Sequence, residues 1–392
     1  MVVFGNAPNR FYLERSFFVT YLQDMKCFKG ILLILNVLLV ASPSFSQNQE
    51  NDKINDSIKS FKLTAMPVLF YLPETGLGYG ALGIGTFRFR DEPSESYPSS
   101  IQMAISRTSK NQLLLWAPYE LYWNDDKWRF FGELGFYKYF YNFYGVGIES
   151  QEESFETYEI DFPRLRASLL KEVLPSFLIG AGYELDIYYN LKFEENGTLD
   201  STNVEGKNNA GTISNLGILA VYDTRDHIFQ PSRGFFIQAS AFTSMDILGS
   251  SFSFSKFNID SRFYQKLKGK HILAVNAFMA NTGEGTPFFS LNYLGTNNRS
   301  RGFTDRRYLD HAELSFALEY RFPIAGRFGG AAFGSSGTVS NDFSGLFSSR
   351  YRNAYGAGIR YTINKKDGIR VRVDYGASEE GGNLYFTVRE AF

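Results

Sequence analysis

The sequence predicts an all-β protein, a transmembrane antiparallel β-barrel of about 16 strands, and three observations predict it. Apolar and polar side chains alternate with period two over most of residues 61 to 392. The connections alternate between tight turns and long polar loops, as in barrels that cross an outer membrane. Aromatic residues make up 17% of the chain, with 25 Tyr and 39 Phe, far more ring surface than one core needs and what two interfacial girdles require.

The chain has 392 residues, 44% hydrophobic and 21% charged, a composition that excludes both a disordered chain and a bundle of membrane-spanning helices. A net charge of -1 gives no electrostatic reason for a nucleic-acid partner. The one cysteine, Cys27, precedes the first apolar run and leaves with it, so the mature chain has no thiol, which suits an oxidising envelope compartment.

Gly30 to Ala41, GILLILNVLLVA, is too short to span a bilayer as a helix, which needs roughly 20 residues. It reads as the core of a signal peptide over residues 25–46: Lys26 and Lys29 supply the basic flank, and Ser44-Phe45-Ser46 places small residues before the cut. Cleavage between Ser46 and Gln47 is expected, with translation starting at Met25 and residues 1–24 a spurious upstream extension. Residues 47–60, QNQENDKINDSIKS, are polar and form a flexible periplasmic N-terminus.

From residue 61 to 392 the pattern is that of strands. Ile369-Arg370-Val371-Arg372-Val373-Asp374-Tyr375 alternates without a break, and so does Leu314 to Phe322, putting Leu314, Phe316 and Leu318 on the apolar face and Ser315, Ala317 and Glu319 on the wet one. Sixteen segments can be drawn, at 65–73, 77–90, 100–107, 111–123, 127–140, 155–170, 175–190, 211–222, 234–245, 252–267, 270–281, 311–322, 327–340, 352–363, 368–376 and 382–392. After the even-numbered segments come mostly tight turns, such as Asn124-Asp125-Asp126, Lys268-Gly269-Lys270 and Lys365-Lys366-Asp367-Gly368. After odd-numbered ones come the loops 191–210, 282–310 and 341–351, with 91–99 and Ser109-Lys110 as exceptions to the rule. Short turns at one end and long loops at the other read as periplasmic and external ends, and closure removes the aggregation-prone edges of so long a sheet.

Asp223-Thr224-Arg225-Asp226 with Pro231-Ser232-Arg233-Gly234, then Ser300-Arg301-Gly302-Phe303, then the C-terminal Leu384 to Phe392, taken in this order, resemble the BamA/TamA-type outer-membrane assembly and secretion superfamily, the bacterial surface-antigen barrel. Asp223-Thr224-Arg225-Asp226 followed by Pro231-Ser232-Arg233-Gly234 is similar to that family's strand-turn-strand element. Ser300-Arg301-Gly302-Phe303, after Leu294-Gly295, resembles the Arg-Gly-aromatic tip of its long sixth external loop. The segment Leu384 to Phe392, with Phe386, Val388 and Phe392 at alternate positions, resembles the C-terminal signal by which barrels enter the assembly machinery. The resemblance implies that the loop folds back into the lumen, where Arg301 with Gly302 and Phe303 meets acidic residues of the wall. Glu319 occupies the matching place on the next strand. The family's second acid falls near Gly334-Ser335-Ser336-Gly337, where Ser335 or a neighbour stands instead, and Asp374, on the wet face of a later strand, is by parity a candidate to replace it. Relatives that insert or export proteins carry POTRA domains ahead of the barrel; about 14 residues cannot form one, so a short member without them is expected.

Motifs of catalysis are missing from the sequence. No G-x-S-x-G, HExxH or P-loop occurs, and His227, His271 and His311 stand singly, so neither catalytic residues nor a metal or cofactor site is assigned. Gly76, Gly78, Gly80, Gly83 and Gly85 lie on strand grammar, where glycine allows close packing rather than phosphate binding. Arg370, Arg372 and Asp374 read as a solvated and mutually neutralising barrel wall in preference to an active-site cluster of the outer-membrane protease or lipase type. The expected function is assistance with insertion or translocation of protein or lipid at the outer membrane of a Gram-negative bacterium, with a small-solute pore or an anchor barrel for a partner protein as the alternative. The implied partners are outer-membrane lipid and lipopolysaccharide, the barrel-assembly machinery during the chain's own insertion, and a protein client.

Overall fold

The structure is a computed structural model and describes residues 58–392 apart from 73–75, 94–95, 228–229, 297, 365–368 and 389. The proposed start, signal peptide and cleavage site at Ser46 and Gln47 lie outside the described residues.

Alternation along the chain produces strands with one greasy and one wet edge, and these pair with their neighbours in sequence. The strands are β1 (Ile58–Leu72), β2 (Gly76–Phe89), β3 (Ser99–Thr108), β4 (Leu113–Trp123), β5 (Trp128–Phe143), β6 (Glu156–Leu174), β7 (Phe177–Ile187), β8 (Tyr189–Lys192), β9 (Thr212–Asp223), β10 (Gly234–Ser244), β11 (Phe254–Lys266), β12 (Ile272–Thr282), β13 (Asn292–Tyr293), β14 (Leu309–Asp310), β15 (Ala312–Ala325), β16 (Phe328–Ser340), β17 (Arg352–Asn364), β18 (Ile369–Ser378) and β19 (Gly381–Val388). Every described ladder is antiparallel, running from β1–β2 to β18–β19 in chain order. The four-residue β8 extends β7 and pairs with β6. Apart from β8 and the two-residue pair β13–β14, sixteen strands remain among the described residues, each overlapping one of the sixteen segments drawn from the sequence.

Boundaries differ in two informative places. β1 begins at Ile58, seven residues before the segment drawn there, and its ladder with β2 runs through Pro67 opposite Ala81. β19 ends at Val388, and Glu390, Ala391 and Phe392 turn away and are buried. The sheet therefore loses the last part of the segment drawn to 392.

The exceptional connection between β2 and β3 has a physical cause. Glu92 accepts hydrogen bonds from the backbone N–H groups of Asn124 and Asp125, at 2.6 and 2.8 Å, and Asp126 accepts from Tyr97 N–H at 3.0 Å. This longer turn folds over the tight β4–β5 turn, whose Asn124, Asp125 and Asp126 all have positive φ, and satisfies its orphan donors.

One face of the sheet carries exposed apolar side chains and the other collects charge. On β15, Phe316, Leu318 and Tyr320 are exposed while Ser315, Ala317, Glu319 and Arg321 are buried. On β18, Val373 and Tyr375 are exposed while Arg372 and Asp374 are buried. Leu314, expected on the apolar face, is buried because Leu346, in the connection after β16, packs beside it. A soluble protein buries its apolar residues and exposes its charges, so this arrangement is inverted.

The sheet curls around the β12–β15 connection, residues 283–311. Phe288, Phe289 and Leu291 pack with Phe143, Tyr158, Ile160, Ile213 and Phe254 from β5, β6, β9 and β11. Leu294, Phe303 and Tyr308 pack instead with Val339 and Ala354 on β16 and β17.

Candidate functional site

The connection is shaped before it is anchored. β13 and β14 pair Asn292 with Asp310 and Tyr293 with Leu309, closing 294–308 into a loop of its own. Ser300 Oγ accepts from the N–H groups of Gly295 and Thr296 at 3.0 and 3.1 Å, turning the chain before Arg301. Gly302 sits at φ +110, and a Cβ there would lie 3.0 Å from the Ala377 backbone nitrogen. Only glycine permits both the backbone conformation and this approach. Its N–H donates to Tyr385 Oη at 2.8 Å, Asn383 donates to the Phe303 carbonyl at 3.2 Å, and Glu380 accepts from Thr304 N–H at 3.1 Å. Phe303 itself is buried beside Leu294 and Tyr308.

The tip thus carries Arg301 onto the charged face of β15–β18. Its Nη2 lies 2.5 Å from Glu319 Oε2, its Nη1 lies 2.5 Å from Asp374 Oδ2, and the guanidinium stacks 3.6 Å from the centre of the Phe333 ring. The planar fork reaches two carboxylates on strands three places apart, a task for which Lys has no equivalent geometry. Ser335, the residue at the place of the family's second acid, is buried with its Oγ unpartnered, and the second carboxylate comes from β18.

Sequence reasoning missed the rest of the network. Arg321 Nε donates to Glu319 Oε1 at 2.6 Å, Arg360 reaches Glu319 at 3.1 Å and Asp374 at 2.5 Å, and Arg372 Nη1 donates to Asp374 at 2.6 Å. Glu390, beyond the end of β19, joins from the tail: Arg370 lies 2.9 Å from it, Arg360 3.4 Å and Arg321 3.7 Å. Arg321 Nη2 also donates to the Phe392 carbonyl at 2.8 Å, and Phe392 packs with Tyr264, Ala274 and Ala317 on β11, β12 and β15. Arg301, Arg360 and Arg372 are among the most deeply buried large side chains described. Burying charge in this way is tolerable only because each group is paired. The signal was parity: Glu319, Arg321, Arg360, Arg372 and Asp374 all fall on the wet face of their strands.

The remaining predicted residues lie elsewhere. Asp223 ends β9 and receives Arg225 Nε at 2.8 Å and Nη2 at 2.6 Å. Arg225 also lies over the Phe236 ring at 4.3 Å. Asp226 accepts from the N–H groups of Ser232 and Arg233 at 2.8 and 3.3 Å and from Ser232 Oγ, while the Arg233 side chain is largely exposed. Burial pushes the Asp226 carboxyl up, but these hydrogen bonds outweigh it and hold the group below its usual range. Pro231 is buried, and Gly234 at φ +105 brings the chain back into β10 against the Thr224 carbonyl. This motif is a self-contained turn at the short-turn end and does not meet Arg301. Phe386 and Val388 pair with Val373 and Val371 in the β18–β19 ladder. Their side chains lie outside the described set, and Phe392 is parted from them.

A family model, the Omp85 superfamily domain, matches residues 98–386. The chain belongs to the Omp85 superfamily. Among solved structures, BamA from Haemophilus ducreyi lacking POTRA domains 1-3 matches with a TM-score of 0.53 and 15% identity over 84% of this chain and 69% of that one. CdiB from Acinetobacter baumannii matches with a TM-score of 0.53 and 10% identity over 84% of this chain. The chain spans 59% of the length of CdiB. At these identities the likeness is one of fold. No curated protein matches the sequence. Among the described residues no group of three or more His, Cys, Asp or Glu side chains is placed to hold a metal ion.

Proposed function

We propose that this chain is an outer-membrane barrel of the BamA/TamA type, closed between β1 and β19, which assists insertion or translocation of protein or lipid in a Gram-negative bacterium. The observation that carries the reading is the buried Arg301–Glu319–Asp374 network, which holds the β12–β15 connection across the charged face of the sheet. A connection packed through the interior narrows any path for solute, which supports action at the wall or seam over an open pore. The exposed apolar face supports a lipid surround, since Phe316, Leu318 and Ile218 exposed to water would be costly. Superfamily membership supports the same class of activity. Residues 25–46 act as the export signal in this reading, and the implied partners are outer-membrane lipid and lipopolysaccharide, the assembly machinery during insertion, and a protein client.

Two measurements test it. Purified protein in planar bilayers is expected to show little steady conductance, and in liposomes it is expected to speed the folding of an urea-unfolded outer-membrane barrel. Steady porin-like conductance with no effect on folding, and an unchanged outer-membrane proteome in a deletion strain, would favour the small-solute pore.

A further inference from the structure

The β12–β15 connection touches both sides of the curled sheet, and its four arginines, Arg299, Arg301, Arg306 and Arg307, each lie over an aromatic ring. Arg301 serves the β15–β18 side. Arg306, five residues later, points the other way. Its guanidinium carbon lies 4.5 Å from the Tyr141 ring centre on β5 and 4.6 Å from the Tyr293 ring centre on β13, one ring from the sheet and one from the connection itself. No carboxylate stands within ion-pairing distance of it among the described residues, and Nε and Nη1 are buried without an acceptor. Two ring faces thus lie against its guanidinium, with Asp305 beside it adding charge of the opposite sign, and a planar cation lies against a ring face better than an ammonium does. The backbone is set for this placement: Arg306 holds φ +57, a left-handed conformation that an arginine keeps only where its surroundings fix it. Tyr141 is itself positioned by Tyr158, 5.6 Å away, which packs 5.0 Å from Phe288. Adjacent contacts fasten the same stretch to the β5–β6 connection: Ser150 Oγ donates to the Arg307 carbonyl at 2.6 Å, and Gly147 N–H donates to the Leu309 carbonyl at 2.8 Å.

We propose that Arg306 is a second, independent anchor, a positioning residue that pins residues 304–308 to the β5–β6 side while Arg301 pins the tip to the β15–β18 side. The connection is thereby a strut across the interior, and releasing Arg301 alone leaves half of it in place. This rests on the reading of the connection as an interior plug, but not on any transport activity.

Hydrogen–deuterium exchange of the purified full chain tests it without reference to function. Arg306→Ala is expected to raise exchange over 304–308 at least tenfold and to leave 296–303 within twofold; Arg301→Ala is expected to do the reverse. Tyr141→Leu should reproduce Arg306→Ala, Tyr141→Phe should match the native chain, and Arg306→Lys should fall between. If Arg306→Ala does not fold, Tyr141→Leu and Arg306→Lys carry the same test. Unchanged exchange over 304–308 in those variants would overturn the proposal. So would equal exposure of the whole segment by Arg301→Ala and Arg306→Ala, which would mark a single unit. A failed insertion assay alongside the expected exchange pattern would sink the functional reading and leave the strut standing.

Discussion

At the scale of single residues the network is unequal: Arg301, Arg321, Arg360, Arg370 and Arg372 share Glu319, Asp374 and Glu390. Removing an acid strands several cations at once, whereas removing one arginine leaves both its acids partnered. Glu319→Gln is accordingly expected to cost about 3–5 kcal/mol, the range for breaking a buried pair, and Arg301→Gln clearly less. The double variant should fall short of the sum by more than about 0.5 kcal/mol, because both changes act on one contact. Loss of heat-resistant gel mobility measures all three, and equal, additive losses would contradict the shared network. Asp305, next to the second anchor, gives a pH test. Burial pushes its carboxyl up to about 6, against the pull of Arg306. The folded state thus holds this proton more tightly than the unfolded chain, whose value is about 3.9. The contribution is fully present below that value and is lost as pH rises through about 6. Asp305→Asn should stabilise the protein at pH 7.5 and make little difference at pH 4; the opposite trend would show that the carboxylate is stabilised where it lies.

At the scale of elements, strand position was written in the alternation, and so was which face each charge takes. Distance across the curl was not. Parity placed Glu319 and Asp374 on one face, but β16 and β17 lie between them, and only the curvature brings both to one guanidinium. The departure of the tail from the sheet is also written in parity. Leu384, exposed on β19, shares its parity with Phe386, Val388 and Glu390, so a strand continued to 392 would have set a carboxylate among apolar side chains. The chain leaves the sheet first. Alternation also gives a direct test on β15: arginine at Phe316 or Leu318 should cost about 2–4 kcal/mol near a bilayer midplane, and cysteines at 316, 318 and 320 should react with a lipid-soluble reagent while those at 315, 317 and 319 do not. Labelling without alternation would refute the face assignment.

At the scale of the whole molecule, the two sides of the curled sheet are held apart by the strut and joined through it. If both anchors hold the interior closed, Arg301→Ala/Arg306→Ala should conduct in planar bilayers far more than either single variant, and near-equal currents in all three would contradict that. The tail adds a dependence across the chain. Glu390 follows Arg372 by 18 positions and Arg321 by 69 in the sequence, so the third carboxylate comes from outside the strands that carry the cations. Until Glu390 folds inward, Arg321, Arg360 and Arg370 face too few acids in a region with little water to compensate. Without its final turn the network is thereby electrically incomplete, although Arg301 at the tip keeps both of its own acids, Glu319 and Asp374.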